Sequence, residues 1–237
     1  MLIPSALKLM IKHRHIFPTN GKIVDLGDQL LYSREHATKI LPALAPILAN
    51  PNLSEYECVS IIYKHLGLGE RNCIDYSENA DIRINLNHSA LAIPGLENAF
   101  DVVTNQGFSE HVFNQYAVFE CIHHICKPGG LMIHVLPCQG WADGQGWGHG
   151  FFQYQPNFFR HLASINNYEI IDLSISPFSP SEKIYDFNPS LYSAISNPHL
   201  LNEHQASELG LDSANFVSLL GILKKPTTDQ AFRLPHE

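Results

Sequence analysis

Short β-branched runs alternate with helical patterns along this chain of 237 residues, and that alternation constrains the fold more than any other feature. Lys22–Gly27 (KIVDLG) is typical of a buried strand that ends at a glycine. Strands are predicted at 22–27, 71–76, 82–86, 100–105, 131–136, 168–176 and 216–223, and helices at 4–16, 35–49, 54–66, 112–126 and 156–166. This order predicts an α/β doubly wound three-layer sandwich with a mostly parallel, seven-stranded sheet.

The end of the chain departs from that alternation. Between the last two predicted strands lies a Pro/Ser/Asn-rich segment, 177–213, without a convincing crossover helix at the usual spacing. The length fits one large α/β domain spanning 1–237. Within it, residues 1–20 are expected to form an N-terminal helical segment, and 177–213 an insertion that acts as a lid, a dimer contact or both.

Composition excludes several classes of protein. Only 16% of residues are charged and the formal net charge is −8, which argues against binding to a phosphate backbone. No run of apolar residues is long enough to span a membrane, and the apolar start followed by basic residues reverses the order of a secretory signal. Five cysteines, an odd and sparse set, favour reduced thiols and a cytoplasmic protein.

Polar residues and glycines end the predicted strands. In an open parallel sheet, ligands bind beyond these carboxyl ends, and no G-x-x-x-x-G-K-[ST] loop is present there. No G-x-G-x-x-G follows the first strand, which argues against a dinucleotide. Asp75 ends the second strand, where a carboxylate can accept both hydroxyl hydrogens of a ribose; the alternative is a solvated turn residue.

The order of these motifs resembles the class I S-adenosylmethionine-dependent methyltransferases. The matching pieces are KIVDLGDQ (22–29), NCIDYSE (72–78), RINLNHSA (83–90), AFDVVTNQGFSEHVFN (99–114) and CKPGGLMIHVLP (126–137). The piece at 147–170 is similar to a subset of small bacterial methyltransferases. The resemblance covers residues 20–175, and FDVV, EHV and KPGG are fairly specific in this order.

This resemblance implies a Rossmann-like sheet with an antiparallel last strand, and S-adenosylmethionine as the cofactor. It assigns the methionine part to Asp25 and Gly27, with Asp28 or Gln29 bonding its amino group. It assigns the ribose to Asp75, the adenine to Asn85 and Leu86, and the surroundings of the sulfonium to Asn105 and Gly107. Tyr76 and Gln106, which adjoin these residues in the sequence, are also predicted to bind the cofactor. Glu110 and His111 follow in the same motif. The first loop, Asp25–Leu30, departs from the family because it contains a single glycine, which restricts close backbone approach.

Methyl transfer to a hydroxyl needs a proton acceptor, and three residues are candidates. His149 is the first, because it lies in a glycine-rich aromatic segment at 140–150 that could fold over a ligand; the alternative is a loop histidine bonded to backbone carbonyls. Tyr154 and His111 are second choices, and His111 could instead cap the following helix. The aromatic residues of 151–154 and the two tryptophans line an apolar substrate cavity or pack in the core.

Two other patterns carry less weight. Cys121 and Cys126 in CIHHIC are five apart, so on a helix they do not share a face and no metal site is predicted. Ser109 in SEH lacks the G-x-S-x-G elbow of a hydrolase.

The sequence therefore predicts a methyltransferase acting on the hydroxyl, or the amine, of a small molecule. The substrate would lie under the N-terminal helix, 141–154 and 177–213. No nucleic acid, membrane or metal is expected, and a homodimer is allowed. The alternatives are a non-catalytic binding or regulatory protein of the same fold, and a nicotinamide-dependent oxidoreductase.

Overall fold

The computed structural model describes residues 1–88, 94–139, 150–177, 183–196, 202–209, 217–228 and 230–234. Its helices are α1 (Pro4–Lys12), α2 (Arg34–Ile40), α3 (Ala45–Leu48), α4 (Glu55–His65), α5 (Gln115–Ile125), α6 (Pro156–Ile165), α7 (Pro189–Ser196) and α8 (Glu203–Glu208). Its strands are β1 (Ile23–Leu26), β2 (Arg71–Asp75), β3 (Ile82–Arg83), β4 (Phe100–Gln106), β5 (Cys126–Gln139), β6 (Glu169–Pro177), β7 (Tyr185–Asp186) and β8 (Val217–Lys224). Single 3-10 turns lie at Arg14–Ile16, Pro42–Leu44 and Ser109–His111.

The strands form one sheet in the order β3-β2-β1-β4-β5-β8-β6-β7. The five strands from β3 to β5 are parallel to one another. The last strand, β8, lies between β5 and β6 and is antiparallel to both. The predicted α/β class, the mostly parallel sheet and the antiparallel last strand are thus confirmed.

The strand count is the main correction, because the described part of the sheet has eight strands where seven were predicted. The additional strand, β7, is two residues long and pairs Tyr185 with Ile175 and Asp186 with Ser174 at the edge. It lies in the 177–213 segment, which also contains α7 and α8. A two-residue strand shows no periodicity, so the sequence pattern gave no sign of it.

Several predicted bounds also shift. The helix predicted at 35–49 divides into α2 and α3, because Pro42 follows Leu41 and begins a 3-10 turn. The helix predicted at 112–126 begins at Gln115, where the side chain of Asn114 accepts a hydrogen bond from the Ala117 N–H at 3.1 Å. The third strand ends at Arg83 instead of Leu86.

Helices cover both faces of the sheet. One face packs on α1, α2 and α4, whose buried residues include Met10 and Ile62. The other packs on α5 and α6 through Phe119 and Phe159. A capping box begins α4, as the Ser-x-x-Glu pattern at 54–57 indicates, since Ser54 and Glu57 bond each other's backbone N–H groups. None of the helices in the described part of the chain is long and apolar enough to cross a membrane.

Candidate active site

The loop after β1 lies beside the end of β2, as expected for parallel neighbours. The backbone N–H of Asp28 donates to Asp75 Oδ2 at 3.2 Å. The other carboxylate oxygen, Oδ1, accepts from the N–H groups of Tyr76 and Ser77, at 2.5 and 3.1 Å. A carboxylate has about four acceptor positions, so Asp75 can take a further donor from a ligand.

Asp25 lies beneath this loop, in a fully buried position. Its Oδ2 accepts from Arg71 Nε at 2.7 Å, and its Oδ1 accepts from the hydroxyl of Tyr63 at 3.0 Å and from the hydroxyl of Thr104. These four side chains come from β1, α4, β2 and β4. The geometry therefore makes Asp25 the centre of a buried network that supports the loop.

The same network holds the loop directly. Arg71 Nη2 donates to the carbonyl oxygen of Gln29 at 2.7 Å. The Gln29 amide nitrogen donates to the carbonyl oxygens of Leu26 and Gln106, at 3.0 and 2.8 Å. Side-chain hydrogen bonds thus fix the conformation of this loop, which contains a single glycine.

Gly27 is the one glycine of this loop, and its φ of +79° favours glycine. A Cβ atom built on Gly27 would lie 2.5 Å from Cδ2 of Phe108. The ring of Phe108, in the loop after β4, therefore packs directly on the Gly27 backbone. Sequence reasoning missed this contact because nothing in the pattern relates residues so far apart.

The residues predicted near the adenine follow β3, the edge strand, at the carboxyl end of the parallel strands. Leu86 is buried, whereas Asn85 is exposed and its Oδ1 accepts from the Asn87 N–H at 3.0 Å. Tyr76 is 63% exposed, with the Arg83 guanidinium 5.3 Å from its ring centroid. The exposed ring of Tyr76 offers apolar area of the kind on which a purine ring can stack.

A buried polar network follows β4. Asn105 Nδ2 donates to Ser109 Oγ at 2.9 Å, and Ser109 N donates back to Asn105 Oδ1 at 3.1 Å. The Tyr154 hydroxyl lies 2.9 Å from Ser109 Oγ and donates to Gln115 Oε1 at 2.6 Å. Burial raises the pKa of Tyr154 far above its ordinary value, so its phenol stays protonated.

Glu110 and His111 follow in the 3-10 turn. Glu110 is fully buried and burial raises its pKa to about 7. His111 Nε2 lies 3.9 Å from Glu110 Oε1, and nearly half of the His111 side chain is exposed. The first predicted base, His149, lies outside the described residues, as do the two tryptophans, Trp141 and Trp147.

The remaining candidates are structural or lie at the site's rim. Cys121 and Cys126 are both buried, and His123 is buried with its Nδ1 2.6 Å from the Tyr168 hydroxyl. Among the described residues, no three histidines, cysteines or carboxylates are grouped as metal ligands would be. The rim carries two exposed aromatic rings, Phe113 and Phe151, with centroids 6.3 Å apart.

Residues 61–134 match the family model described as a methyltransferase domain. Among solved structures, the chain is similar to the YcgJ protein from Bacillus subtilis, at 11% identity and a TM-score of 0.51, over 93% of this chain and 97% of that one. The resemblance to the class I S-adenosylmethionine-dependent methyltransferases is confirmed. Other similar structures are methyltransferases from Archaeoglobus fulgidus (12% identity, TM-score 0.49, 92% of each chain) and Mesorhizobium loti (15%, 0.48, 94% of this chain and 98% of that one). No curated protein matches the sequence.

The methyltransferase match implies S-adenosylmethionine as the cofactor, and the donor and acceptor groups present fit it. Asp75 offers a carboxylate to a ribose diol at the end of β2. Gln29 Oε1 and Gln106 Oε1 are buried amide oxygens that have no hydrogen-bond partner within the described part of the chain. Such acceptors suit an ammonium group, because a buried polar atom without a partner is costly. The matched region begins at residue 61, so it does not include the single-glycine loop.

Proposed function

We propose that this protein is an S-adenosylmethionine-dependent methyltransferase whose acceptor is a hydroxyl, or an amine, on a small molecule. The observation that carries the proposal is the position of Asp75, whose carboxylate bonds the backbone of the loop after β1 at the carboxyl edge of the sheet. Asp28, Gln29, Asp75 and Gln106 would hold the cofactor. Gly107 would let the methionine chain of the cofactor approach the backbone, whereas the Cβ side of Gly27 is covered by the Phe108 ring.

The cofactor, when bound, supplies a methyl group from its sulfonium, whose sulfur keeps the bonding electron pair. The chain has to orient the acceptor, exclude water and remove one proton from a hydroxyl acceptor. His149, His111 and Tyr154 are the predicted catalytic residues. Of these, Tyr154 fits a positioning role better, because its hydroxyl is bonded to Gln115 and its pKa is raised.

A small acceptor is supported by the charge and by the rim. The net charge of −8 disfavours nucleic acid, and the exposed rings of Phe113 and Phe151 offer an apolar surface to an acceptor. Two contacts support a role for the 177–213 segment as a lid. The Tyr192 hydroxyl, on α7, bonds both Cys138, at the end of β5, and Gln155. The single domain, the cytoplasmic location and the homodimer stay predictions.

Calorimetry with S-adenosylmethionine and with NAD tests the cofactor. We expect saturable binding of S-adenosylmethionine, weakened by more than tenfold in Asp75→Ala, and no binding of NAD.

Incubation with methyl-labelled cofactor and a small-molecule extract, compared with the macromolecular fraction, tests the acceptor class. Absence of S-adenosylmethionine binding at millimolar concentration would overturn the proposal, and label confined to the macromolecular fraction would overturn the small acceptor.

A non-catalytic protein of the same fold is the second candidate, and one contact favours it. The Phe108 ring covers Gly27, the one glycine through which the first loop could approach a ligand closely. Binding without any labelled product from a complete metabolite extract would favour this candidate over the enzyme.

A further inference from the structure

Glu110 is a buried carboxylic acid placed against the loop that lines the proposed sulfonium position. Its Oε1 lies 3.5 Å from the point where a Cβ on Gly107 would stand. On the other side, a Cβ on Gly150 would lie 2.8 Å from Glu110 Cγ, and the Phe151 N–H donates to the Glu110 carbonyl oxygen at 2.6 Å. The Glu110 side chain is thus enclosed by backbone from the loop after β4 and from the segment before α6.

The electrostatic surroundings keep this carboxyl group able to exchange a proton near neutral pH. Burial raises the pKa of Glu110 to about 7, opposed by a hydrogen bond with its own backbone and by the amine of Met1. Among the described residues, His111 and Tyr154 are the other titratable groups that face it, and Glu110 contributes to the raised pKa of Tyr154. A general base is most effective when its pKa lies near the working pH.

Resting on the proposed function, we propose that Glu110 accepts the proton of the acceptor hydroxyl and that His111 carries this proton to solvent. The O–H bond of the acceptor breaks as its oxygen is methylated, and the proton binds a carboxylate oxygen of Glu110. His111, whose Nε2 lies 3.9 Å from Oε1, then takes the proton from Glu110 and releases it to solvent. Glu110 is then ionised again for the next acceptor.

Two nearby groups are less suited to this role. Tyr154 is held protonated, with its hydroxyl hydrogen directed to Gln115. His134 is packed against the rings of Phe119 and Phe159, only 1% of it is exposed, and burial lowers its pKa to about 3, so it stays neutral. Glu110 and His111 combine a buried acceptor with an exposed neighbour.

Carbon-13 NMR of protein labelled at the glutamate carboxyl carbons tests the state of Glu110 without any ligand. We expect one carboxyl signal to titrate near pH 7, to disappear in Glu110→Gln and to persist in Glu70→Gln, a matched change at the exposed amino end of β2. If every glutamate titrates at ordinary values below about 5, the proposal is overturned.

Calorimetry with S-adenosylmethionine and S-adenosylhomocysteine tests whether Glu110 faces the sulfonium. The two ligands differ by one methyl group and one positive charge, so an ionised carboxylate nearby favours the former. We expect the affinity ratio to rise several-fold as pH increases through 7 in the native protein and in Glu70→Gln, and to stay flat in Glu110→Gln. If both ligands bind native protein with a pH-independent ratio, the Glu110 proposal fails alone; if neither binds, the proposed function fails with it.

Methyl transfer to the labelled small-molecule fraction gives the kinetic test. We expect Glu110→Gln to lower turnover by about 100-fold or more, while its affinity for S-adenosylmethionine falls only several-fold through the lost charge. His111→Ala should lower turnover less, and added imidazole should restore it. Native turnover in Glu110→Gln overturns the proposal. If that variant does not fold, Glu110→Asp keeps a carboxyl group, and the proposal then requires its turnover to keep the pH dependence of the native protein.

Discussion

At the scale of one residue, Gly27 shows why the first loop requires glycine at this position. Its φ is positive and the Phe108 ring lies where a side chain would be. We expect Gly27→Ala to lower the free energy of unfolding by about 2–4 kcal/mol, combining left-handed strain with a collision, and to weaken S-adenosylmethionine binding. Urea unfolding and calorimetry measure the two effects.

Gly67 provides the control for that change. Its φ is +93° and no atom lies within 4 Å of a Cβ built there, so Gly67→Ala introduces the strain without the collision. We expect it to cost about 1–2 kcal/mol and to leave cofactor affinity unchanged. Equal losses in the two variants would show that Phe108 does not confine the loop.

Arg71 carries the second prediction at this scale. Its guanidinium is buried, pairs with Asp25 and also bonds the Gln29 carbonyl. Arg71→Met leaves Asp25 as an uncompensated buried charge, so we expect a loss of about 3–5 kcal/mol in the free energy of unfolding. We also expect weaker cofactor binding, because the loop loses its anchor.

Arg83→Met serves as the comparison, since Arg83 is exposed and lies over the Tyr76 ring. We expect it to change stability by less than about 1 kcal/mol. A loss in Arg71→Met no larger than in Arg83→Met would contradict the role of the buried pair.

Asp75 and Arg71 differ in whether their contacts can be predicted from the sequence. Asp75 is at a strand end that periodicity locates, so its place beside the first loop could be predicted. Arg71 is at the start of the same strand, and its contact with Asp25 depends on the register of β1 against β2, where Asp25 pairs with Cys73. Register is set by packing of the whole sheet and cannot be read from one run of residues.

At the scale of elements, α1 is attached to the sheet by a buried carboxylate. Asp172 of β6 accepts from Lys12 Nζ at 2.8 Å, and its Oδ2 lies 2.7 Å from His13 Nε2. Burial alone would raise the pKa of Asp172, but hydrogen bonds from Lys12, Ser174 and His13 outweigh it and lower the pKa. The contact joins residues 160 positions apart and positions the helix that is expected to cover the substrate.

We therefore expect Asp172→Asn to destabilise the protein by about 1.5–3 kcal/mol at neutral pH. Because the folded-state pKa is lowered, this contribution is present above the unfolded value of 3.8 and is lost as pH falls through the folded value. Native protein and variant should then converge in stability in acid. Urea unfolding across that range measures it.

Asp186→Asn is the matched control, because Asp186 is exposed and also accepts from Lys12, at 3.2 Å. We expect a change below about 1 kcal/mol. Equal effects at both positions would mean that Lys12 alone, and not the buried Asp172, attaches α1.

Elements were predicted best where periodicity was long. The helix α4 and its capping box follow from the sequence almost to the residue. The division of α2 from α3 depends on Pro42, and β7 depends on β6 as a template, so neither is visible in local periodicity. The two short helices of the 177–213 segment, α7 and α8, were not predicted, because short helices with weak apolar patterns are stabilised by tertiary contacts.

At the scale of the molecule, strand order assembles the site. The order β3-β2-β1-β4-β5 brings the ends of β1, β2 and β4 to one edge, so that Gly27, Asp75 and Gly107 meet although 80 residues separate the first from the last. The resemblance implied this assembly, and the structure agrees. The proton-transfer group could not be predicted in the same way, because the burial of Glu110 depends on Gly150 and Gly107 closing around it.

Two buried groups make opposite contributions to the pH dependence of stability. Burial lowers the pKa of His134 from 6.5 to about 3, so its contribution to stability is lost as pH falls below 6.5. Burial raises the pKa of Glu110 from 4.5 to about 7, so its contribution is present below 4.5 and is lost as pH rises to about 7. Between pH 4.5 and 6.5 the two slopes oppose each other, each with a limit of about 1.4 kcal/mol per pH unit.

Removing either group should therefore change the slope of the free energy of unfolding against pH in a known direction. In Glu110→Gln, we expect the free energy of unfolding to rise more steeply with pH between 4.5 and 7 than in native protein, since the falling contribution is gone. In His134→Leu, it should rise less steeply between 3 and 6.5. Differences in slope, unlike absolute stabilities, are insensitive to the packing changes that each substitution brings. Urea unfolding at several pH values measures them, and a tilt of the same sign in both variants would contradict the assignment of either group.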